Sequence, residues 1–512
     1  MKTSASNSAF SPDPTAFAVT YDDGKPQVVW TRLVADLETP VSALLKLAPG
    51  RANSFLLESV EGGSVRGRYS IIGFDPDIIW RAHGDQPEIN RTPRKDPEKF
   101  RPLKTGTLKA LRRLLAESRI ELPEELPPMV AGVFGYMGYD TVRLIEHLPT
   151  EKPDPLGVPD SILIRPTLMV VFDAVKDEMT VVTTVYPKRS QSAAAAYDAA
   201  SERLARAVAA LERPLMQLPG DAPSAKRPQI SSNTAKQQYQ GMVQRAKEYI
   251  RAGDIFQVVL SQRFSTPFQL PSFDLYRALR RTNPSPFLFH LNFGGFSIVG
   301  SSPEILVRVR DGEVTIRPIA GTKPRGATPA EDRALADELL SDEKELAEHL
   351  MLLDLGRNDT GKVSEIGSVE VTDSFFLEYY SQVMHIVSNV TGRLAAPHDS
   401  IDALMSGFPA GTVSGAPKVR AMEIIDELEL EKRGPYGGCV GYFSADGQMD
   451  TCIVLRTAVV KDGVMHIQAG AGVVADSVPV REHEECVNKA KALFRAAEEA
   501  VLVATQQSRR GS

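Results

Sequence analysis

The stretch SIVGSSPEILVRVRDGEVTIRPIAGT, Ser297 to Thr322, decides the fold class. Apolar residues on either side of Asp311-Gly312 read as two strands joined by a hairpin dipeptide, and such a turn requires antiparallel neighbours. A second stretch, TCIVLRTAVVKDGVMHIQAGAGVV from Thr451 to Val474, repeats the plan around Asp462-Gly463 and ends in glycines. Both follow the β-rich run Phe256–Phe264 (FQVVLSQRF). Helical patterns alternate with these strands at 234–252, 329–355, 417–432 and 480–503. The expected fold class is therefore α+β, with large, mainly antiparallel β-sheets forming a sandwich-like core flanked by helices.

Working outward, strand-like runs occur at Thr167–Ala174 and Met179–Tyr186, followed by an Ala-rich helix over Ser192–Leu211. Two segments dense in Pro and Ser read as linkers, the first up to residue 18 and the second Arg213–Asn233. They predict a disordered tail at 1–18, an N-terminal regulatory or scaffold domain at 19–225, and a catalytic domain at 226–508. The 512 residues carry 59 Lys+Arg against 65 Asp+Glu, net −6, which gives no electrostatic footprint for nucleic acid or anionic membranes. No apolar run is long enough to span a bilayer, and Met1–Ala16 has no apolar signal core, so a cytoplasmic location is expected. Cys439, Cys452 and Cys486 form neither a disulfide framework nor a metal-ligand spacing.

Two motif-like strings fail in context. Gly356–Lys362 resembles a phosphate loop, but Val363 replaces the Ser/Thr and a helix pattern precedes it. Gly437-Gly-Cys439-Val-Gly441 has the outline of a cysteine nucleophile elbow, yet no helix and no His/Glu pair follow it. More informative are two carboxylate pairs at helical spacing. Glu345 and Glu348 share one helix face, and Glu482, Glu485 and Lys489 share another. Either pair alone reads as a solvated face, whereas two facing each other would suit a hard divalent cation such as magnesium.

From about Gln237 to Leu502 the chain resembles the chorismate-utilising enzymes, and among them the component I (large subunit) family of anthranilate synthases. The residues carrying the likeness are Gly253–Arg263 (GDIFQVVLSQR), Ser302-Pro-Glu304, Arg317–Thr322 (RPIAGT), Glu348–Asp359 (EHLMLLDLGRND), Gly411–Lys418 (GTVSGAPK) and Gln468–Gly472 (QAGAG). Leu56-Leu-Glu-Ser59 and Asn283-Pro-Ser-Pro286 add a likeness to that family's tryptophan-feedback pocket.

The resemblance implies a role for each matching residue. Glu304 takes the position of the general acid toward the C4 hydroxyl of chorismate, which requires a carboxyl kept protonated by burial. Glu348 and Glu485 match magnesium-linked carboxylates, with Glu345 and Glu482 supporting. Arg456 and Tyr436 match residues holding the enolpyruvyl carboxylate, for which a guanidinium offers a two-pronged donor. Thr412, Gly470, Ala471, Gly472 and Lys489 match other substrate contacts. His385 matches a histidine of the second step, loss of pyruvate with aromatisation, and Thr322 closes the catalytic set. An inhibitor pocket for L-tryptophan is implied at Glu58, Ser59, Arg68, Pro286, Leu288, Val440, Tyr442 and Cys452, with Phe287-Leu288 where the family commonly has Tyr-Met.

Two positions select among relatives. Gln257 stands where water-adding relatives carry a Lys base, and Ala320 stands where 4-amino-4-deoxychorismate-forming relatives carry a Lys nucleophile. The implied reaction is amination of chorismate at C2 with ammonia, then elimination of pyruvate to anthranilate, the activity of a carbon-oxygen lyase in tryptophan biosynthesis. Ammonia is expected from a separate glutamine amidotransferase subunit in a hetero-oligomer, since Cys439 is not read as a glutaminase nucleophile. A synthase stopping at 2-amino-2-deoxyisochorismate and a silent chorismate- or tryptophan-binding regulator stay open as alternatives.

Overall fold

Both Asp-Gly pairs form the turns their composition predicts. Asp311 and Gly312 have φ of 49° and 77°, and Asp462 and Gly463 have 50° and 73°. Two successive left-handed residues make a turn whose twist matches the flanking strands. The first turn joins strands Ile305–Arg310 and Glu313–Ile316, and the second joins Thr457–Lys461 and Val464–Val473. The two hairpin segments also pair with each other. Phe296–Ser302 lies against Thr457–Lys461, and Ile305–Arg310 against Met449–Ile453.

This computed structural model describes residues 9–61, 65–149, 152–215, 229–380 and 383–511. Every strand pairing among the described residues is antiparallel. Strands cross the expected boundary near residue 225, which itself lies outside the described residues. Ser54–Glu61 pairs with Phe287–Asn292, and Gly132–Met137 with Cys439–Ser444.

Strand Ser161–Asp173 shows how the layers arise. Ile162, Ile164, Met169 and Val171 enter one apolar cluster, while Leu163, Leu168, Val170 and Phe172 enter another. The first cluster is built mainly from strands, among them Phe55, Phe134, Phe289, Ile298 and Tyr442, and is the sheet-on-sheet core. The second lies under helices through Leu44, Leu111, Leu204, Tyr276 and Leu493. The parity of inward positions switches near Pro166, where the register against Pro76 and Ile78 slips.

Two sequence expectations need correction. Residues 14–18 of the supposed tail belong to helix Pro14–Asp22, capped by Asp13, which accepts from Thr15 N and Ala16 N at 2.8 and 3.1 Å. Phe17 is 0% exposed in the helix-side core, and its burial fixes the segment; residues 1–8 lie outside the described residues. The pattern at 329–355 is two helices, Pro329–Ser341 and Glu343–Gly361. Asp342 ends the first and caps the second, accepting from Lys344 N and Glu345 N at 3.1 and 3.3 Å. That cap sets the rotation of the face bearing Glu345 and Glu348. No helix among the described residues is long and apolar enough to cross a membrane.

Candidate active site

Glu304 sits between strands Phe296–Ser302 and Ile305–Arg310, where its carbonyl accepts from Ile453 N at 3.0 Å. The residue is only 6% exposed, and burial pushes its carboxyl up to about 8. The Thr412 hydroxyl, donating to Oε1 at 3.3 Å, and the Ile319 backbone pull weakly the other way. No cation pairs with Glu304 among the described residues. The carboxyl therefore keeps its proton near neutral pH.

Strand Gln257–Pro267 runs beside Val464–Val473, with Val259 opposite Gly472 and Ser261 opposite Gly470. Both glycines leave room for neighbours. A Cβ at Gly472 would lie 2.7 Å from Gln257 Nε2, and one at Gly470 would lie 2.9 Å from the Tyr436 hydroxyl. Ala471 between them turns its methyl into the apolar core, so it faces the site with backbone alone. Gln257 is 4% exposed, and its Nε2 donates to Glu348 Oε1 at 3.0 Å. The carboxylate end fixes the amide orientation, leaving Oε1 buried without a partner.

His385 faces Thr322 across strands Ile319–Pro324 and Val383–Arg393. Its Nδ1 lies 3.0 Å from both the Gly321 carbonyl and the Thr322 hydroxyl. A carbonyl only accepts, so Nδ1 carries the proton and Nε2 keeps a lone pair, buried without a partner. Burial lowers the imidazole to about 4, which keeps it neutral.

Arg456 has a left-handed backbone, φ 47°, a conformation costing on the order of 1–3 kcal/mol for a non-glycine residue. No acidic group pairs with its guanidinium among the described residues, and burial lowers its pKa. It lines a cavity of about 520 Å³ together with Glu485, Lys489 and Asn283. Lys489 Nζ bridges Glu485 at 2.8 Å and the Gly470 carbonyl at 3.0 Å. An unpaired arginine beside a lysine suits a carboxylate-bearing substrate.

The four carboxylates expected at a metal are arranged as two pairs. Among the described residues, no group of three or more His, Cys, Asp or Glu side chains is gathered to hold a metal ion. Glu348 is engaged by Gln257 and Glu485 by Lys489, while repulsion opposes closer approach of four like charges. Glu345 and Glu482 are raised first by burial, and their neighbours Glu348 and Glu485 add to the rise. Lys344 on helix Glu343–Gly361 reaches Asp476, just before helix Pro479–Gly511, at 3.0 Å and clasps the two elements. These oxygen donors fit magnesium, which needs only one or two carboxylates besides water and substrate.

A separate cavity of about 320 Å³ gathers Glu58, Ser59, Arg68, Leu288, Val440, Tyr442 and Cys452. Pro286 does not line it; its neighbour Phe287 does. Sequence reasoning missed Arg308, Arg310 and Asp450 on its wall. Asp450 accepts from both arginines, at 3.0 and 3.1 Å, across the pairing of Ile305–Arg310 with Met449–Ile453. Glu58 is held by Arg280 through two contacts of 2.6 and 2.9 Å, and the Tyr276 hydroxyl donates to it. Arg68 pairs outward with Asp173.

The rejected motifs are structural. Gly356–Gly361 lies within helix Glu343–Gly361, and Lys362 pairs with Asp359. Burial pushes the Cys439 thiol up to about 12, far from nucleophilic.

The antiparallel α+β fold thus encloses a buried carboxylic acid, an unpaired arginine and two carboxylate pairs, the side chains of an enzyme site. Residues 53–495 match the chorismate binding enzyme family, and the chain belongs to it. It is 60% identical over 489 residues to anthranilate synthase component 1 of Cereibacter sphaeroides, covering 94% of this chain and 96% of that one. It is 49% identical to the Pseudomonas putida protein of the same name, covering 90% and 93%. The crystal structure of anthranilate synthase component I from Streptococcus pneumoniae TIGR4 superposes with a TM-score of 0.73 at 38% identity, covering 84% of this chain and 92% of that one.

Proposed function

We propose that this protein is the large subunit of an anthranilate synthase, aminating chorismate at C2 and then eliminating pyruvate. The observation that carries the reading is Glu304, a buried carboxyl raised to about 8 with no cation beside it. Such a group delivers a proton to the C4 hydroxyl as that oxygen leaves. Arg456 and Tyr436 hold the enolpyruvyl carboxylate, with Lys489, Thr412 and the backbone of Gly470–Gly472 against the rest of the substrate. Glu348 and Glu485, supported by Glu345 and Glu482, would hold magnesium, which when bound neutralises the ring carboxylate and withdraws electron density from the ring.

Nucleophile choice follows from side chains that are not basic. The Gln257 amide cannot deprotonate water, whereas ammonia attacks without help. Ala320 offers no amine for covalent capture at C2. His385, neutral and with a free Nε2, serves the elimination, with Thr322 fixing its ring. Ammonia comes from a separate amidotransferase subunit, because the three thiols are buried and none is activated. L-tryptophan occupies the cavity between Glu58 and Cys452 as feedback inhibitor. We further propose a division into a regulatory unit before residue 225 and a catalytic unit after it, and a cytoplasmic setting.

The test supplies the purified chain with chorismate, magnesium and ammonium. Fluorescent anthranilate should form and should vanish with EDTA; isochorismate or no turnover would sink the reading. His385→Ala should cut anthranilate release by about 10²-fold while chorismate consumption persists, seen by chromatography of the accumulating amine. Equal loss of both would refute the assignment of His385 to the second step.

A further inference from the structure

Arg433 is a buried cation outside the set of side chains assigned to the substrate. It is 2% exposed and lies between helix Lys418–Leu428 and strand Cys439–Ser444. Its Nε donates to Glu429 Oε2 at 2.9 Å and its Nη2 to Glu429 Oε1, so its charge is matched by a carboxylate that is itself buried. The pair uses two of the five N–H donors of the guanidinium. Two more reach backbone carbonyls, Nη1 that of Val413 and Nη2 that of Val259, each at 2.7 Å.

Both carbonyls belong to walls of the site. Val413 follows Thr412, whose hydroxyl donates to Glu304. Val259 lies opposite Gly472 in the strand that carries Gln257. Glu429 extends the brace, because its Oε1 accepts from Ser261 N at 2.7 Å and Ser261 Oγ at 2.9 Å, and Ser261 lies opposite Gly470. The guanidinium also lies over two rings, 5.6 Å from the centroid of Tyr436 and 4.5 Å from that of Tyr139. A cation at that range attracts the ring face. A planar, forked cation can hold two carbonyls, a carboxylate and two rings at once, which an ammonium cannot.

We propose that Arg433 is a positioning residue for the substrate-carboxylate pocket. Anchored by Glu429, it holds the Tyr436 ring, the turn Gly411–Val413 and strand Gln257–Pro267 in fixed relation, so that the Tyr436 and Thr412 hydroxyls and the backbone of Gly470–Gly472 meet the substrate together. The inference rests on the reading that Tyr436 holds the enolpyruvyl carboxylate of chorismate.

The test is a double-mutant cycle in the full chain, with ammonium as nitrogen source and unfolding midpoints measured alongside. Arg433→Lys keeps a charge beside Glu429 and loses the fork. It should raise the chorismate KM by about tenfold, with kcat and the ammonium KM within about threefold. Tyr436→Phe alone should also raise the chorismate KM by about tenfold, yet add less than about twofold in the Arg433→Lys background. Tyr139→Leu leaves every hydrogen bond of the guanidinium in place, and the Tyr139 hydroxyl it removes is buried without a partner. This milder variant should raise the chorismate KM by about threefold with the same non-additivity, and it decides the matter if Arg433→Lys does not fold. Effects that multiply, or an unchanged chorismate KM in the folded variants, overturn the positioning role. If Tyr436→Phe alone leaves the chorismate KM unchanged, the reading of Tyr436 fails, and this inference with it.

Discussion

Two glutamates, Glu304 and Glu58, are buried to nearly the same depth, 6% and 5% exposed, yet their partners differ in kind. Glu58 meets a guanidinium in two-pronged contact and a tyrosine hydroxyl, all from helix Ser272–Thr282. Glu304 meets one hydroxyl and one backbone N–H. Burial alone therefore assigns no role. A buried carboxyl with a cation is a fastener between elements, and one without a cation is a reservoir for a proton.

The largest effect that sharpens the contrast is on catalysis. Glu304→Gln should lower kcat by on the order of 10³-fold with chorismate KM little changed, read by anthranilate fluorescence; near-normal turnover would refute the acid role. Its effect on stability should have the other sign. Below the ordinary carboxyl value of 4.5 both native and unfolded chains are protonated; between there and about 8 the unfolded chain alone releases the proton. The stabilisation from the protonated native carboxyl is thus full below 4.5 and is lost as pH rises to about 8. Glu304→Gln should match wild type in unfolding midpoint at low pH and exceed it at pH about 8.

Glu58→Ala should behave in reverse. It strands Arg280 and should destabilise by about 3 kcal/mol in denaturant unfolding, while ammonium-driven turnover of the folded fraction persists and tryptophan inhibition weakens. If Glu58→Ala unfolds no more easily than wild type, the fastener role is wrong. A smaller effect concerns pH. With rates expressed per unprotonated ammonia, wild-type kcat/KM should decline on the alkaline side of about 8, as Glu304 loses its proton.

Much of this arrangement was legible in the sequence, for local reasons. The Asp-Gly turns, the helix faces carrying Glu345/Glu348 and Glu482/Glu485, and the glycines of Gln468–Gly472 are set by neighbours a few residues away. In the tail, Ser and Pro content masks a short helix-start signal, Asp13-Pro14 ahead of Phe17. Arg308, Arg310 and Asp450 were invisible because their meeting depends on the register of strands about 140 residues apart in sequence, which no local pattern encodes. The depth of Glu304 and the separate ties of Glu348 and Glu485 likewise depend on tertiary packing. Family resemblance names such residues but not what surrounds them.

The smallest expected effect is the most discriminating, because it alters the surroundings of Glu304 and leaves the acid in place. Thr412 donates the side-chain hydrogen bond that favours the charged form of Glu304. Thr412→Val keeps the shape and removes that donor, so the carboxyl should rise further and the alkaline limb of kcat/KM should move up by a fraction of a unit. The maximal rate at neutral pH should change by only a few-fold, since the acid remains protonated there. A limb that moves down instead would mean that Thr412 acts by holding the neutral acid, and that the isolation of Glu304 is not what sets its proton affinity.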